Sequence, residues 1–283
     1  MKGLAMIRRF GSVVLALVVV CGGEAACGDA VSEFRKLLDD MWEFGLVEDP
    51  LFATSVGDRR ADDKLPEVSL AAAARRRAAD VKFQQRLTAI VRTDLPPAEQ
   101  TNYDVLARQL REGLAEYEFQ SHLTPITNRS GFHIEFPDVR TQIPLTTTRD
   151  FENYVARLRA FPEFAAGHVE LMRAGVAAER TLPAVILKGW EEAVETHVVD
   201  DPAKSVFYEP LVAIPPTVPA SEHERLRTAA RAAIAEGIVP GYRLFRDFMR
   251  DEYVPAARGS IGASALPRGR EFYRHRGCSP RWT

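Results

Sequence analysis

The segment from Ser221 to Arg276 restricts the possible folds more than any other. Ser221, followed three residues later by Glu224, spells a capping box: hydroxyl and carboxylate each satisfy a backbone N–H that the first turn of a helix leaves unpaired. A helix is therefore expected to begin there. Leu226, Ala230, Ala233, Ile234 and Ile238 recur at spacings of three and four, and Leu244, Phe245, Phe248 and Met249 resume the stripe. Gly237, Pro240 and Gly241 interrupt it. Proline lacks a backbone donor and its ring crowds the preceding turn, so the pattern predicts either one kinked helix of about thirty residues or two helices meeting near Ile238. Pro255 ends the run.

The same period recurs upstream. Val31, Phe34, Leu37, Leu38, Met41 and Trp42 mark a first amphipathic helix, halted by Gly45 and Pro50. Residues 51–66 read as a surface connection. Ser69 caps a second helix running to Val91, with Leu70, Ala74, Ala78, Val81, Leu87 and Ile90 inward. Its successive Arg75, Arg76 and Arg77 fan around the axis and form no flat anion patch. Asp94 to Pro97 open a third helix, striped by Tyr103, Leu106, Leu110, Leu114 and Tyr117. Thr148 caps a fourth and Pro162 starts a fifth, and the two read as a helical hairpin. Thr181-Leu-Pro183 begins a sixth, and the proline-rich stretch from Asp201 to Pro219 reads as an extended link.

Residues 124–148 also lose the helical period. Phe132-His-Ile-Glu-Phe136 alternates, which allows a short strand, but Pro125, Pro137 and Pro144 confine any sheet to edge pairing. A long ordered loop is the expectation there. The predicted fold is mainly α: a multi-helix array of antiparallel helices with long ordered loops and little or no sheet.

Composition narrows the function. The 37 basic and 39 acidic side chains leave a net charge of -2, without the basic excess that nucleic-acid binding requires. Lys2, Arg8 and Arg9 precede an apolar core from Val13 to Val20, and small residues follow through Ala30. That layout is a secretory signal over residues 1–30, too short to span a bilayer. Export to a periplasmic or extracellular location follows, with cleavage after Ala26 or Ala30. The alternative is a lipid anchor on Cys21 or Cys27, although neither has the preferred lipoprotein context. Membrane contact is expected only through that signal or anchor. Cys278 is the one cysteine outside the leader, so no disulfide framework exists.

Candidate chemistry is thin. None of His122, His133, His168, His197, His223 and His275 lies four residues before another, so no HExxH zinc motif is present. His223-Glu224 begins the pattern, but Arg227 stands in the place of the second ligand. His133 and Glu135 lack a third ligand. His168 and Glu170, two apart on a helix, point to different sides. His197 and Asp200 read as a capping or surface pair, and Asp62 with Asp63 as solvated loop charges. Arg258-Gly-Ser-Ile-Gly262 carries arginine where a nucleophile elbow needs its first glycine.

Several short motifs carry a resemblance by their order and spacing. They are Phe136-Pro137, Ile143 to Thr148, Asp150 to Tyr154, Thr181-Leu-Pro183, Ile238 to Tyr242, Phe248 to Arg258, and Gly262 through Gly269 to Tyr273. Over residues 31 to 276 the chain resembles the bacterial domain-of-unknown-function 885 family. That resemblance implies a helical zinc metallopeptidase whose HExxH motif lies in the second half of a chain roughly twice this one. Residues 31–276 would then be the amino-terminal half, with a divergent tail at 277–283 that reads as a truncation or frameshift. No catalytic residue and no metal ligand are expected in this chain, and zinc is expected for a full-length relative. By the same resemblance Arg258, Tyr273, His275 and Arg276 lie near a substrate groove. The partner implied is the missing carboxy-terminal half, with self-association through exposed apolar surface as a consequence of its loss. The competing expectation is a non-catalytic exported helical module that binds or interacts.

Overall fold

The computed structural model describes residues 23–278, with side chains for 28–277. The charged and apolar parts of the expected leader, before residue 23, the side chains of Cys21, Cys27 and Cys278, and residues 279–283 lie outside the described residues. The helices are α1 (Gly23–Glu48), α2 (Pro50–Ser55), α3 (Leu70–Ala89), α4 (Pro97–Glu118), α5 (Phe132–Glu135) and α6 (Val139–Gln142). They continue with α7 (Thr148–Ala177), α8 (Trp190–Glu195), α9 (Glu209–Val212), α10 (Ala220–Ala233), α11 (Val239–Phe248) and α12 (Gly269–Cys278). Among the described residues there is no strand, only an isolated parallel bridge between Pro183 and Arg258. No described helix is long and apolar enough to cross a membrane.

The organising helix is α7, and it corrects the expected hairpin. Pro162 lies inside it rather than opening a new helix. A mid-helix proline costs a hydrogen bond, but Phe151, Tyr154, Leu158 and Phe161 before it and Ala165, Val169 and Met172 after it are all buried on a continuous face. Packing on both sides of the proline keeps the axis whole. The cap is also one residue earlier than expected. Thr147 Oγ1 accepts from the Asp150 N–H at 3.2 Å, and Asp150 Oδ2 accepts from the Thr147 N–H at 2.8 Å.

The segment Ala220–Tyr253 crosses α7 as one continuous helical run. Near Ile238 it neither breaks nor divides. Instead a π turn at Ile234–Ile238 precedes Pro240, and a second occupies Met249–Tyr253. One extra residue per turn widens the helix, which gives the proline ring room. The expected Ser221–Glu224 box does not form, because Pro219 precedes a helix that begins at Ala220 and puts Ser221 inside the first turn. Glu224 bonds Arg231 instead, at 2.7 Å. Gly237 and Gly241 set the crossing: a Cβ on Gly237 would collide with the Leu158 carbonyl, and one on Gly241 would lie 2.6 Å from the Phe161 ring.

Two apolar cores result. The larger is built from α7, α10 and α11 and closed by segments expected to be loops. Residues 201–219 are not an extended link. They coil into short turns and α9, burying Phe207, Leu211 and Val218, and Tyr154 donates to the Phe207 carbonyl at 2.8 Å. Phe132 to Phe136 is helical rather than a strand or an irregular loop. Phe132 and Phe136 are four apart, so the same pair satisfies an alternating and a helical pattern, and both are buried against Phe161. The sixth helix expected at Thr181 is a 3-10 turn at Ala184–Leu187 followed by α8.

The smaller core joins α1, α3 and α4 through Phe34, Leu37, Phe83, Leu87, Leu106 and Leu110. Gly45 does not halt α1, which runs to Glu48 before Asp49 caps α2. Ser69 caps α3 as expected, accepting from the Ala72 N–H at 2.9 Å. The buried face of α3 is Ala72, Ala73, Phe83 and Leu87, whereas Leu70 is 41% exposed. Alanines on every side left the inward face undetermined. The supposed surface connection at 51–66 contains α2 and a buried Asp62, which accepts from Thr54 Oγ1 and Arg59 Nε at 2.7 Å each. Asp62 is a buried, paired carboxylate and not a solvated one.

Candidate functional site

The bridge between Pro183 and Arg258 fixes the centre of the site. Ala184 N–H donates to the Arg258 carbonyl at 2.9 Å, and Arg258 N–H donates to Thr181 Oγ1 at 3.1 Å. Tyr253, at the end of the helical run, accepts from the Leu182 N–H at 3.1 Å. These bonds pin residues 180–184 to the turn that follows Pro255. The Arg258 guanidinium folds over that turn: Nε donates to the Thr181 carbonyl at 2.9 Å, and Nη1 to the carbonyls of Ser260 and Gly262 at 2.7 and 2.9 Å.

Arg180 approaches from the other side. It is 6% exposed, its Nε donates to Gln120 Oε1 and its Nη2 to the Pro267 carbonyl, both at 2.9 Å. Burial pushes the pKa of both guanidiniums down, and for Arg180 the nearby Arg268 charge adds to the effect. Both stay cationic, since an arginine is not deprotonated in a protein.

Helix α12 closes the site with Phe272, Tyr273 and Arg276. It is held down through Glu116 of α4, which accepts from Arg276 at 2.8 Å and lies 3.4 Å from His275 Nε2. Phe119 packs edge-on against Phe272, with centroids 5.5 Å apart. Between these elements lies a cleft of about 490 Å³, within the range of small-molecule sites. Ile126, Leu182, Leu266 and Phe272 give it an apolar floor, three arginines line it, and no carboxylate does.

Of the four residues expected near a groove, the structure brings Arg258, Tyr273 and Arg276 to this one cleft. His275 lies behind it, against Phe119 and Glu116. Arg180 was missed. The only available signal was its place directly before Thr181-Leu-Pro183, and an arginine in an arginine-rich chain does not stand out. Ser260 sits in the exposed turn.

The other candidates do not converge. Among the described residues no group of three or more His, Cys, Asp or Glu is placed to hold a metal ion. Glu135 accepts from the Gly131 N–H at 3.2 Å, while His133 packs 5.1 Å from the Phe245 ring. His168 Nδ1 faces the Phe164 carbonyl at 2.9 Å. His197 is a core residue, not a surface partner of Asp200: it is 8% exposed and its ring lies 4.5 Å from Tyr242. Burial holds His133, His168 and His197 at about 4, with the mutual repulsion of the three rings adding to it at His133. They are neutral packing residues. Three arginines and several hydroxyls over an apolar floor give the cleft the chemistry to bind an anionic or hydrogen-bonding ligand.

Fold and site together define a mainly α helical array with an arginine-walled binding cleft. The chain belongs to the family described as bacterial protein of unknown function (DUF885), whose model matches residues 50–277. The fold is similar to that of a solved structure described as the putative lipoprotein from Colwellia psychrerythraea, with a TM-score of 0.75 at 18% identity. That likeness covers 88% of this chain and 45% of that one, so the chain spans less than half the length of the structure it matches. No curated protein matches it.

Proposed function

We propose that this chain forms the non-catalytic, ligand-binding wall of an exported two-part helical hydrolase of the zinc peptidase type. The observation that supports the reading is an arginine-lined cleft in a chain that covers 45% of the similar solved structure. Zinc hydrolysis requires about three protein ligands, a polarised water and a carboxylate base. In this reading a further carboxy-terminal part supplies them, and residues 31–276 supply Arg258, Tyr273 and Arg276 to the substrate. Exposed apolar side chains support a body completed by other helices: Ile261 in the turn after Pro255, and Trp42 with its edge-to-face neighbour Phe52. The leader-like amino terminus and the similar structure described as a lipoprotein support export, by secretion or by a lipid anchor.

The test is the DNA downstream of the codon for Thr283, read in all three frames. An HExxH-encoding continuation is expected. Its absence would reduce the chain to an exported binding module without chemistry.

A further inference from the structure

The three arginines of the cleft are not equivalent. Arg276 is neutralised by Glu116 at 2.8 Å. Arg180 and Arg258 have no carboxylate partner among the described residues. Arg180 bonds an amide oxygen and a carbonyl, and Arg258 bonds three carbonyls. Neutral acceptors fix a guanidinium in place but do not offset its charge. Arg180 is buried and Arg258 half-buried, and an unpaired charge withdrawn from water is costly, a cost that falls when an anion enters with it. Those bonds also leave Arg180 Nη1 and Arg258 Nη2 without a partner among the described residues. Two rigidly held cations therefore each keep a donor in reserve.

The geometry points to a carboxylate-binding subsite in which Arg180 and Arg258 together hold the C-terminal carboxylate of a peptide, with the terminal side chain on the apolar floor. This deepens the hydrolase reading and rests on it for the peptide. The apolar floor argues against an inorganic ion: Ile126, Leu182, Leu266 and Phe272 gain only from a hydrocarbon body. The charge argues for an acid, because a carboxylate can take one charge-assisted bond from each of the two free Nη groups, whereas a neutral amide offers a single oxygen and no charge. Of the charged residues around the cleft, Glu116 is occupied by Arg276 and His275, and Glu271 by Arg268 at 2.8 Å, so no internal acid competes.

The test is calorimetric titration of the full chain with N-acetyl-leucyl-phenylalanine as the free acid and as its C-terminal amide. The acid is expected to bind, and the amide at least about tenfold more weakly. Arg258→Gln is expected to remove that preference by weakening the acid alone, and Arg258→Lys to restore only part of it, since the charge returns without the three carbonyl bonds that hold the guanidinium in place. Arg180→Gln reports the same loss where circular dichroism shows it folded, and Arg258→Gln decides the matter where it does not. Equal affinity for acid and amide, an unaltered preference in Arg258→Gln, or no binding of either peptide overturns the subsite. Binding is read without turnover, so those results leave the hydrolase reading standing. The absence of an HExxH continuation overturns that reading and leaves a carboxylate-binding module.

Discussion

Arg157 Nη2 donates to Thr54 Oγ1 at 2.7 Å, joining the middle of α7 to α2 across 103 residues of sequence. The guanidinium is fully buried, and its other bonds go to the carbonyls of Pro50, Ala61 and Lys64. One side chain thus satisfies three backbone oxygens around a connection that is otherwise rich in charged residues. Arg157→Met should cost about 3–5 kcal/mol, because several buried acceptors lose their donor at once. Thr54→Val should cost about 1–2 kcal/mol. Urea unfolding of both variants checks this, and a loss under about 1 kcal/mol for Arg157→Met would mean water replaces the guanidinium.

The buried histidines set the acid limit of the fold. His133, His168 and His197 are held at about 4 by burial, against about 6.5 in an unfolded chain. Between those values the unfolded chain takes up protons that the folded one refuses, so stability is full above about pH 6.5 and falls as the pH drops toward 4. Each ring contributes at most about 1.4 kcal/mol per pH unit in that window. Asp150 acts lower. Burial pushes its carboxyl up, but Arg59 and the N–H groups of Thr146 and Thr147 outweigh that and hold it at about 2, so its contribution is lost only from about pH 3.8 downward. The urea midpoint should therefore already fall between pH 7 and pH 5, and His133→Leu, which removes an Nδ1 without a partner, should flatten that fall. A midpoint constant over that range would contradict the assignment.

Two helical glycines should respond with opposite sign to the same substitution. A Cβ on Gly167 of α7 would run into the Val68 carbonyl of the strap leading to α3, and backbone does not yield as a side chain does. Gly167→Ala should cost about 1–3 kcal/mol. Gly45 of α1 has nothing within 4 Å of the added atom. Gly45→Ala should raise stability by about 0.5–1 kcal/mol through helix propensity alone. Thermal melts of the pair side by side separate the two effects.

The sequence revealed helices better than it revealed their ends and neighbours. The stripe from Leu226 to Met249 has apolar side chains at helical spacing, and it buried as expected except at Leu244, which is exposed. Proline misled once and left the reading open once: Pro162 read as the start of a new helix, and Pro240 allowed either one kinked helix or two, yet both lie in continuous helical runs because packing on either side outweighs one lost bond. Residues 201–219 read as a link because prolines mask the helical period, while Phe207 and Leu211 in fact close the main core. The cleft was legible only in part. Arg258, Tyr273 and Arg276 lie in motifs near the carboxy end, but Arg180 joins them through a bridge between segments 75 residues apart, which no local pattern encodes.

Glu116 decides whether the cleft keeps its fourth side. It accepts from Arg276 at 2.8 Å and from the Ser121 hydroxyl, and it faces His275, so one carboxylate ties α12 to α4 and to the turn beneath it. Ion pairs this exposed contribute at most about 1 kcal/mol each to global stability, and Glu116→Gln should hardly move the melting temperature. Helix α12 buries little besides Phe272, however, so its local opening depends on that tether far more than the rest of the fold does. Hydrogen exchange of the backbone amides in residues 269–277 should accelerate several-fold in Glu116→Gln, while the amides of α7 and α11 keep their protection. Uniform acceleration across the chain would show that α12 unfolds with the body, and no change would show that the Phe119–Phe272 contact alone holds it.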